Sequence, residues 1–278
     1  MLDFLGDDIY FHIDKKCKDF NLTKYKKLVK SSKIYVVDNP VNVTWGSYSQ
    51  ILAELRLLKK ARKNGEYQYY HLLSGQDLVL KTPKQLHKYM DQYFGKIFIR
   101  SKVITKENNK WVYNRASVDH IFVNRKKLKN RFCRKVLGLL DKTYTFIQIK
   151  LLKRDLVISK GIQLSYGGNW FSLPEYAVDT ILNNTAKIEK YFRKSENADE
   201  IFVQSILREE GLKTVDNDLR LVDWSRGSNA HPYVFKEEDY NEIMKSGKLY
   251  ARKFDESIDK KIIDQIFNNI MQARHDNE

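Results

Sequence analysis

Cysteine, proline and long apolar runs are scarce in this chain, and each scarcity excludes something. Its 278 residues hold two cysteines, Cys17 and Cys133. A lone pair gives no disulfide framework, so a reducing compartment is expected. Four prolines mark no domain boundary, and no internal repeat or low-complexity linker divides the sequence. No apolar run approaches the ~20 residues that span a bilayer. The first residues, Met1-Leu2-Asp3-Phe4-Leu5-Gly6-Asp7-Asp8, carry acids where a secretory signal carries bases. A cytoplasmic location follows, in solution or peripheral on the inner face of the plasma membrane. The six histidines show no ligand spacing. Asp216-Asn217-Asp218 does not follow a buried strand, so it reads as a polar loop rather than a metal clamp.

What is present is a core-forming, basic chain. Hydrophobic content of 42% with 13% aromatics is ample for packing. The net charge is +15, and it is concentrated: residues 124–154 hold eleven Lys/Arg against the single acid Asp141. Such a patch calls for an anionic surface as partner, membrane headgroups or nucleic acid. In the first hundred residues strand and helix signals alternate. Ile9–Ile13, Ile34–Val37, Tyr67–Ser74 and Ile97–Ile99 read as strands. Helical spacing of Ile51, Leu52, Leu55 and Leu58 predicts a helix over 47–63, opened by Ser47 with Gln50 and stopped at Gly65. Thr82-Pro83-Lys84-Gln85 opens another. Strands separated by helices predict an α/β domain with a mostly parallel, doubly wound sheet, in which ligands bind at strand ends. Further helices are expected from Ser172-Leu173-Pro174-Glu175 to about Arg193, from Asn197–Glu200 onward, and over 237–246 and 258–273.

Several residues carry candidate chemistry. Asp14 and Asp77 end strand-like runs. Asp77, after Ser74-Gly75-Gln76, is either a ligand-facing carboxylate or a turn aspartate bonding its own backbone. Arg252 and Lys253 are either a phosphate-binding pair or two solvated cations. A strand-end carboxylate with a cationic pair suits a nucleotide-sugar, whose hydroxyls need an acceptor and whose diphosphate needs positive charge. Glu200, in Asn197-Ala198-Asp199-Glu200, is either a general base or the far half of a capping box. Trp45, Trp170 and Trp224 stand beside small or polar residues, where aromatics make ring platforms as well as core. Leu128, Phe132, Val136 and Leu140, four apart among Lys and Arg, form a basic amphipathic helix. It either faces the core or lies on a membrane.

Taken in order, Tyr10-Phe11-His12-Ile13-Asp14-Lys15-Lys16, Val43-Thr44-Trp45-Gly46-Ser47-Tyr48-Ser49, Leu72-Leu73-Ser74-Gly75-Gln76-Asp77, Gly168-Asn169-Trp170-Phe171-Ser172-Leu173, Ala198-Asp199-Glu200 and Ala251-Arg252-Lys253-Phe254-Asp255 resemble the family-14 glycosyltransferases. These are the core-2/I-branching β-1,6-N-acetylglucosaminyltransferases and their xylosyltransferase relatives, and the resemblance looks closest to bacterial members. It implies a GT-A-like fold over a single domain, 1–278. Residues 1–100 would form the nucleotide-binding half, 124–154 a basic amphipathic segment, and 160–278 the acceptor and catalytic half. It implies inverting, metal-independent transfer, without cofactor, of a sugar, N-acetylglucosamine by analogy, from a UDP-sugar to an acceptor glycan hydroxyl. Glu200 falls on the catalytic base and Lys253 on the diphosphate-binding lysine. Asp14 and Trp45 fall near uracil and ribose, Asp77 on the donor pocket, and Asn169, Trp170 and Trp224 on the acceptor side. Where the family has an arginine for the diphosphate, this chain has Ala230, followed by His231 and Pro232; Arg226 or Arg252 would substitute. The family's first strand is missing before the His-x-Asp strand, which makes a non-catalytic glycan- or membrane-binding homologue the alternative. The basic segment suggests a lipid-linked acceptor, as in surface polysaccharide synthesis. A nucleic-acid partner would leave the strand-end carboxylates unexplained, so no specific one is expected.

Overall fold

Local signals in the first hundred residues place most elements where the sequence predicts them. A computed structural model describes residues 7–29, 32–228 and 231–275; the first six residues and Ala230 lie outside them. The apolar runs Ile9–Phe11 (β1) and Ile34–Val36 (β2) pair in parallel. The helix between them, Leu22–Leu28, is capped by Asn21, whose side chain accepts from the Lys24 N–H. Helix Tyr48–Asn64 buries Ile51, Leu55 and Leu58 on one face and ends at Gly65. Thr82 and Gln85 cap helix Pro83–Gln92 reciprocally. Thr82 Oγ1 accepts from the Gln85 N–H at 3.3 Å, and Gln85 Oε1 accepts from the Thr82 N–H at 3.0 Å.

The remaining strands are Tyr69–His71 (β3), Asp77–Val79 (β4), Ile97–Ile99 (β5), Lys102–Val103 (β6), Ser165–Tyr166 (β7), Phe171–Pro174 (β8), Thr214–Val215 (β9), Arg220–Val222 (β10) and Tyr250–Arg252 (β11). A four-stranded sheet runs β3-β8-β5-β9, with β8 antiparallel to β3 and β5, and β9 parallel to β5. A three-stranded sheet runs β10-β11-β4, parallel then antiparallel. β6 and β7 form an antiparallel pair. The sheets are therefore mixed, which corrects the expectation of one mostly parallel sheet. The cause is β8: it enters from a hundred residues downstream and runs against both neighbours. Alternation within the first hundred residues carries no trace of it.

Two further elements depart from expectation. Ser172, Leu173 and Pro174 belong to β8 instead of capping a helix, and the helix begins at Glu175. It breaks at Asn184, leaving Glu175–Asn183 and Thr185–Phe192 as separate helices. Asparagine competes for backbone hydrogen bonds and favours such breaks.

The main core gathers Ile51, Leu55, Ile97, Ile99, Leu173, Val178, Ile181, Phe202 and Ile206 on one face of the four-stranded sheet. A second packs Leu80, Phe235, Ala251, Phe254, Ile262 and Ile266 around β11 and the last helix, Lys260–His275. A small cluster including Val79, Phe98, Leu219 and Tyr250 lies along β4, β5 and β11. Each fully buried side chain of this kind stabilises the fold by about 1.5–3 kcal/mol.

The basic segment is the exception to this inward packing. Asn130 accepts from the Phe132 and Cys133 N–H groups and starts helix Arg131–Phe146, which continues as a turn of π-helix over Ile147–Leu151. Leu128, Phe132, Val136 and Leu140 are all exposed, so the core-facing alternative is not the one realised.

Gly167 shows how tightly the β7–β8 connection is held. A Cβ there would stand 1.9 Å from the Arg100 carbonyl oxygen, a backbone atom that cannot yield without moving β6. Gly167→Ala is expected to cost about 1–3 kcal/mol. Urea denaturation checks this; a wild-type midpoint would mean that the strand pair accommodates the methyl freely.

Candidate functional site

The register of β4 and β11 places Asp77 opposite Arg252, although 175 residues separate them. Asp77 opens β4 after the turn that follows β3. Its side chain is fully buried. One oxygen meets Arg252 Nη1 at 3.0 Å; the other accepts from the Ser74 N–H at 2.8 Å and lies 3.5 Å from Arg220 Nη2. Arg252 Nη1 also donates to Ser74 Oγ at 2.6 Å, and Arg220 Nη2 to the Leu72 carbonyl at 3.0 Å. The turn reading of Asp77 is realised, since it bonds its own turn; its buried carboxylate faces two guanidiniums rather than open space. Both guanidiniums lie over the Trp170 ring, at 4.5 Å for Arg220 and 4.8 Å for Arg252. Asp77 faces both guanidiniums and Asp218 acts on Arg220 as well, while Lys253, next in the chain, acts on Asp255. Burial pulls the Arg220 pKa down while Asp77 and Asp218 hold it up. Arg220 Nε and Nη1 make no hydrogen bond, the guanidinium lying between the Trp170 and Tyr250 rings.

Glu200 sits in a 3₁₀ turn, Ala198–Glu200, after Asn197 in the left-handed conformation (φ 47°). No side-chain cap forms there, so the capping-box alternative fails. The carboxylate instead accepts from Arg115 Nη1 at 2.6 Å and is 36% exposed, whereas Arg115 is buried. Arg115 stacks on Trp111 at 3.9 Å and faces Tyr166 at 5.6 Å. Three segments hold this turn. Gly46 accepts from the Asn197 N–H at 2.8 Å, Gln50 donates to Asp199 at 2.8 Å, and the Gly167 N–H donates to the Glu200 carbonyl at 3.1 Å. Behind them Glu54 is buried, and desolvation with the charge of Asp199 pushes its carboxyl well above the usual range.

Gly167-Gly168-Asn169-Trp170 links the two centres. Its first residue is bonded to Glu200, Gly168 accepts from Gln204 at 2.8 Å, and Trp170 carries the guanidiniums. Asp14 pairs with Lys16 at 3.3 Å, and the Lys16 ammonium donates to the Val43 carbonyl at 2.7 Å, two residues before the exposed Trp45. Trp224 is exposed two residues beyond β10. Arg226 stands apart. Asp223, Asp239 and Glu242 all bond its guanidinium and hold its pKa well above the ordinary value, so its charge is already matched. Asp216 accepts from the Ser101 N–H at 2.9 Å, as a loop residue does. Among the described residues no three His, Cys, Asp or Glu side chains gather as around a metal ion.

Arg220, Arg115, Trp111 and Ser74 were not singled out by sequence. An arginine inside the apolar run Leu219-Arg220-Leu221-Val222 was the available signal for the first. The i, i+4 spacing of Trp111 and Arg115 on helix Lys110–Ser117 was the signal for the second pair.

The strand ends and turns of this mixed α/β fold gather a semi-exposed carboxylate, an indole and two guanidiniums. The chain belongs to the Core-2/I-branching enzyme family, glycosyltransferase family 14, whose model matches residues 7–246. Membership implies a glycosyltransferase with a nucleotide-sugar donor and a glycan acceptor, and the mixed α/β architecture is compatible with a GT-A-like fold. Comparison with curated proteins gave no match.

His71 lies beneath this site. It shares a 2.7 Å hydrogen bond with Ser172 and sits between the rings of Tyr69 and Tyr250. Burial, aided by Arg220, pushes its pKa down to about 4. The unfolded chain, with an ordinary histidine near ~6.5, therefore takes up this proton first as the pH falls. Stability is fully present above about pH 6.5 and declines towards pH 4, by up to roughly 3 kcal/mol from this group. Urea midpoints across that range should fall for the wild type and fall less for His71→Asn; parallel profiles would remove His71 as the cause.

Proposed function

We propose that this chain transfers N-acetylglucosamine from a UDP-sugar to a hydroxyl of an acceptor glycan, with inversion and without a metal ion. The single observation that carries the reading is the Gly167–Trp170 segment. It is bonded at one end to the Glu200 turn and stacked at the other on the guanidiniums of a cationic strand end. A base and a leaving-group clamp are thus held by one short piece of chain.

In the proposed reaction the Glu200 carboxylate takes the proton of the acceptor hydroxyl. The oxygen forms its bond to the anomeric carbon on the face opposite UDP. The bond from that carbon to the β-phosphate oxygen breaks, and its electron pair leaves on the diphosphate. Arg252 and Lys253 meet that charge, because fixed cations cost no reorganisation at the moment of transfer. Asp77, fully buried, acts through Arg252 rather than by touching the donor. Arg115 holds the base in place. Asp14 and the Trp45 loop form the nucleoside side, and Asn169, Trp170 and Trp224 the acceptor side. Arg252 takes the arginine role for which Arg226, matched by three carboxylates, is poorly placed. The exposed basic helix favours an acceptor carried on lipid, as in surface polysaccharide assembly.

Glu200→Gln keeps the hydrogen bond to Arg115 and removes the base. Transfer from UDP-N-acetylglucosamine is expected to fall by about 10²–10⁴-fold with UDP affinity unchanged, read by product formation and calorimetry. Normal turnover in this variant would sink the assignment of the base. A wild-type chain that neither transfers nor hydrolyses any UDP-sugar would favour a glycan-binding homologue without catalysis.

A further inference from the structure

Helix Arg131–Phe146 is packed inside out. Of its own residues only Asp141 is buried, and in the π-helical turn that follows only Gln148. These polar groups are what fasten the segment to the domain. Asp141 accepts from the Phe122 N–H at 3.1 Å and pairs with Arg125 at 3.4 Å and His120 at 3.5 Å. Gln148 makes reciprocal bonds with the Asp119 backbone at 3.0 and 2.9 Å. Meanwhile Phe132 is 73% exposed, Leu139 66% and Leu151 70%, with Phe146 and Leu152 also open. A contiguous apolar face of this size is not left to water without a function.

We propose that this face docks on an anionic lipid surface, its apolar side chains entering the boundary between headgroups and acyl chains. Charge selects this occupant. Lys127, Lys129, Arg131, Arg134, Lys135, Lys142, Lys150 and Lys153 are exposed around the apolar residues, and the one acid of the segment, Asp141, is turned inward. Cations at the rim with aliphatic and aromatic side chains at the centre match a helix lying in a bilayer interface. An open, almost wholly apolar groove of about 550 Å³ between Leu128 and Leu137 adds room for acyl chain. Among the described residues no helix is long and apolar enough to cross a membrane, so the segment would lie on the surface. The docking stands on these residues alone; joined to the proposed reaction, it makes the acceptor one displayed at a lipid–water interface.

Co-sedimentation of the full chain with vesicles tests it, using phosphatidylcholine alone and phosphatidylcholine mixed with phosphatidylglycerol, at low and raised salt. The wild type is expected to sediment with the anionic vesicles only. Arg131→Glu with Arg134→Glu and Lys135→Glu should weaken that partition by roughly a hundredfold or more, at about fivefold for each cation lost. Phe132→Ser with Leu139→Ser and Phe146→Ser removes only exposed groups. It should keep the wild-type circular dichroism and lose the binding that survives raised salt. Wild-type protein left in the supernatant at low salt would overturn the proposal. So would an apolar-face variant that binds like wild type at every salt, a dimer in solution that this variant abolishes, or binding to a DNA duplex with none to vesicles. Glu200→Gln should bind vesicles as wild type does, so loss of transfer and loss of docking are read separately.

Discussion

The carboxylate of Asp77, held between Arg220 and Arg252, is the interaction on which the site depends. It fixes the start of β4 against the end of β11, and so joins a turn in the first third of the chain to a strand near its end. Two guanidiniums over one indole would repel each other without it. Each contributes about 0.5–2 kcal/mol as a cation over a ring. Removing one partner of such a buried arrangement costs about 3–5 kcal/mol, because the other charges are left uncompensated. The arrangement also explains how a buried acid serves a site that needs positive charge. Asp77 orders both guanidiniums from a buried position, and Arg252 remains partly open to solvent beside the Trp170 ring.

The position of Glu200 depends on a different constraint, the conformation of a three-residue turn. Asn197 at positive φ, one of the residues best suited to that region, turns the chain so that Glu200 points to solvent while Ala198 and Asp199 point inward. Arg115 then fixes the exposed carboxylate from a buried position. Behind the turn, burial and the charge of Asp199 push the Glu54 carboxyl well above the usual range. The Glu200 turn and the paired guanidiniums are joined by Gly167–Trp170, where the absence of a side chain at Gly167 lets the loop approach the Arg100 carbonyl.

Sequence reached the local parts of this picture and stopped at the long-range ones. The cap at Thr82, the stop at Gly65 and the buried face of the 48–64 helix each depend on residues within a few positions of one another, and all were legible. The insertion of β8 between β3 and β5 depends on a partner a hundred residues away, and no periodicity within either half records it. The same limit applies at the site. Asp77, Glu200, Arg252 and Trp170 could be named as candidates, but each had an ordinary local reading. For Glu200 only the observed left-handed Asn197 and the bond to Arg115 exclude the capping box. Arg220 and Arg115 were missed because a charged residue inside an apolar run looks like a surface position until its partner is known. The basic helix was legible as amphipathic; which face it turned outward was not, since that is set by where Asp141 and Gln148 find their partners.

The central claim is that fixed cations at the β11 end, ordered by Asp77, bind the diphosphate. Calorimetric titration with UDP and with uridine, both in EDTA, tests it most directly on the wild type and on Lys253→Met. The account expects UDP to bind far more tightly than uridine without any divalent ion, and Lys253→Met to lose most of that preference while binding uridine as before. Equal affinity for the two ligands in EDTA, with the preference for UDP restored by adding Mg²⁺ or Mn²⁺, would contradict it.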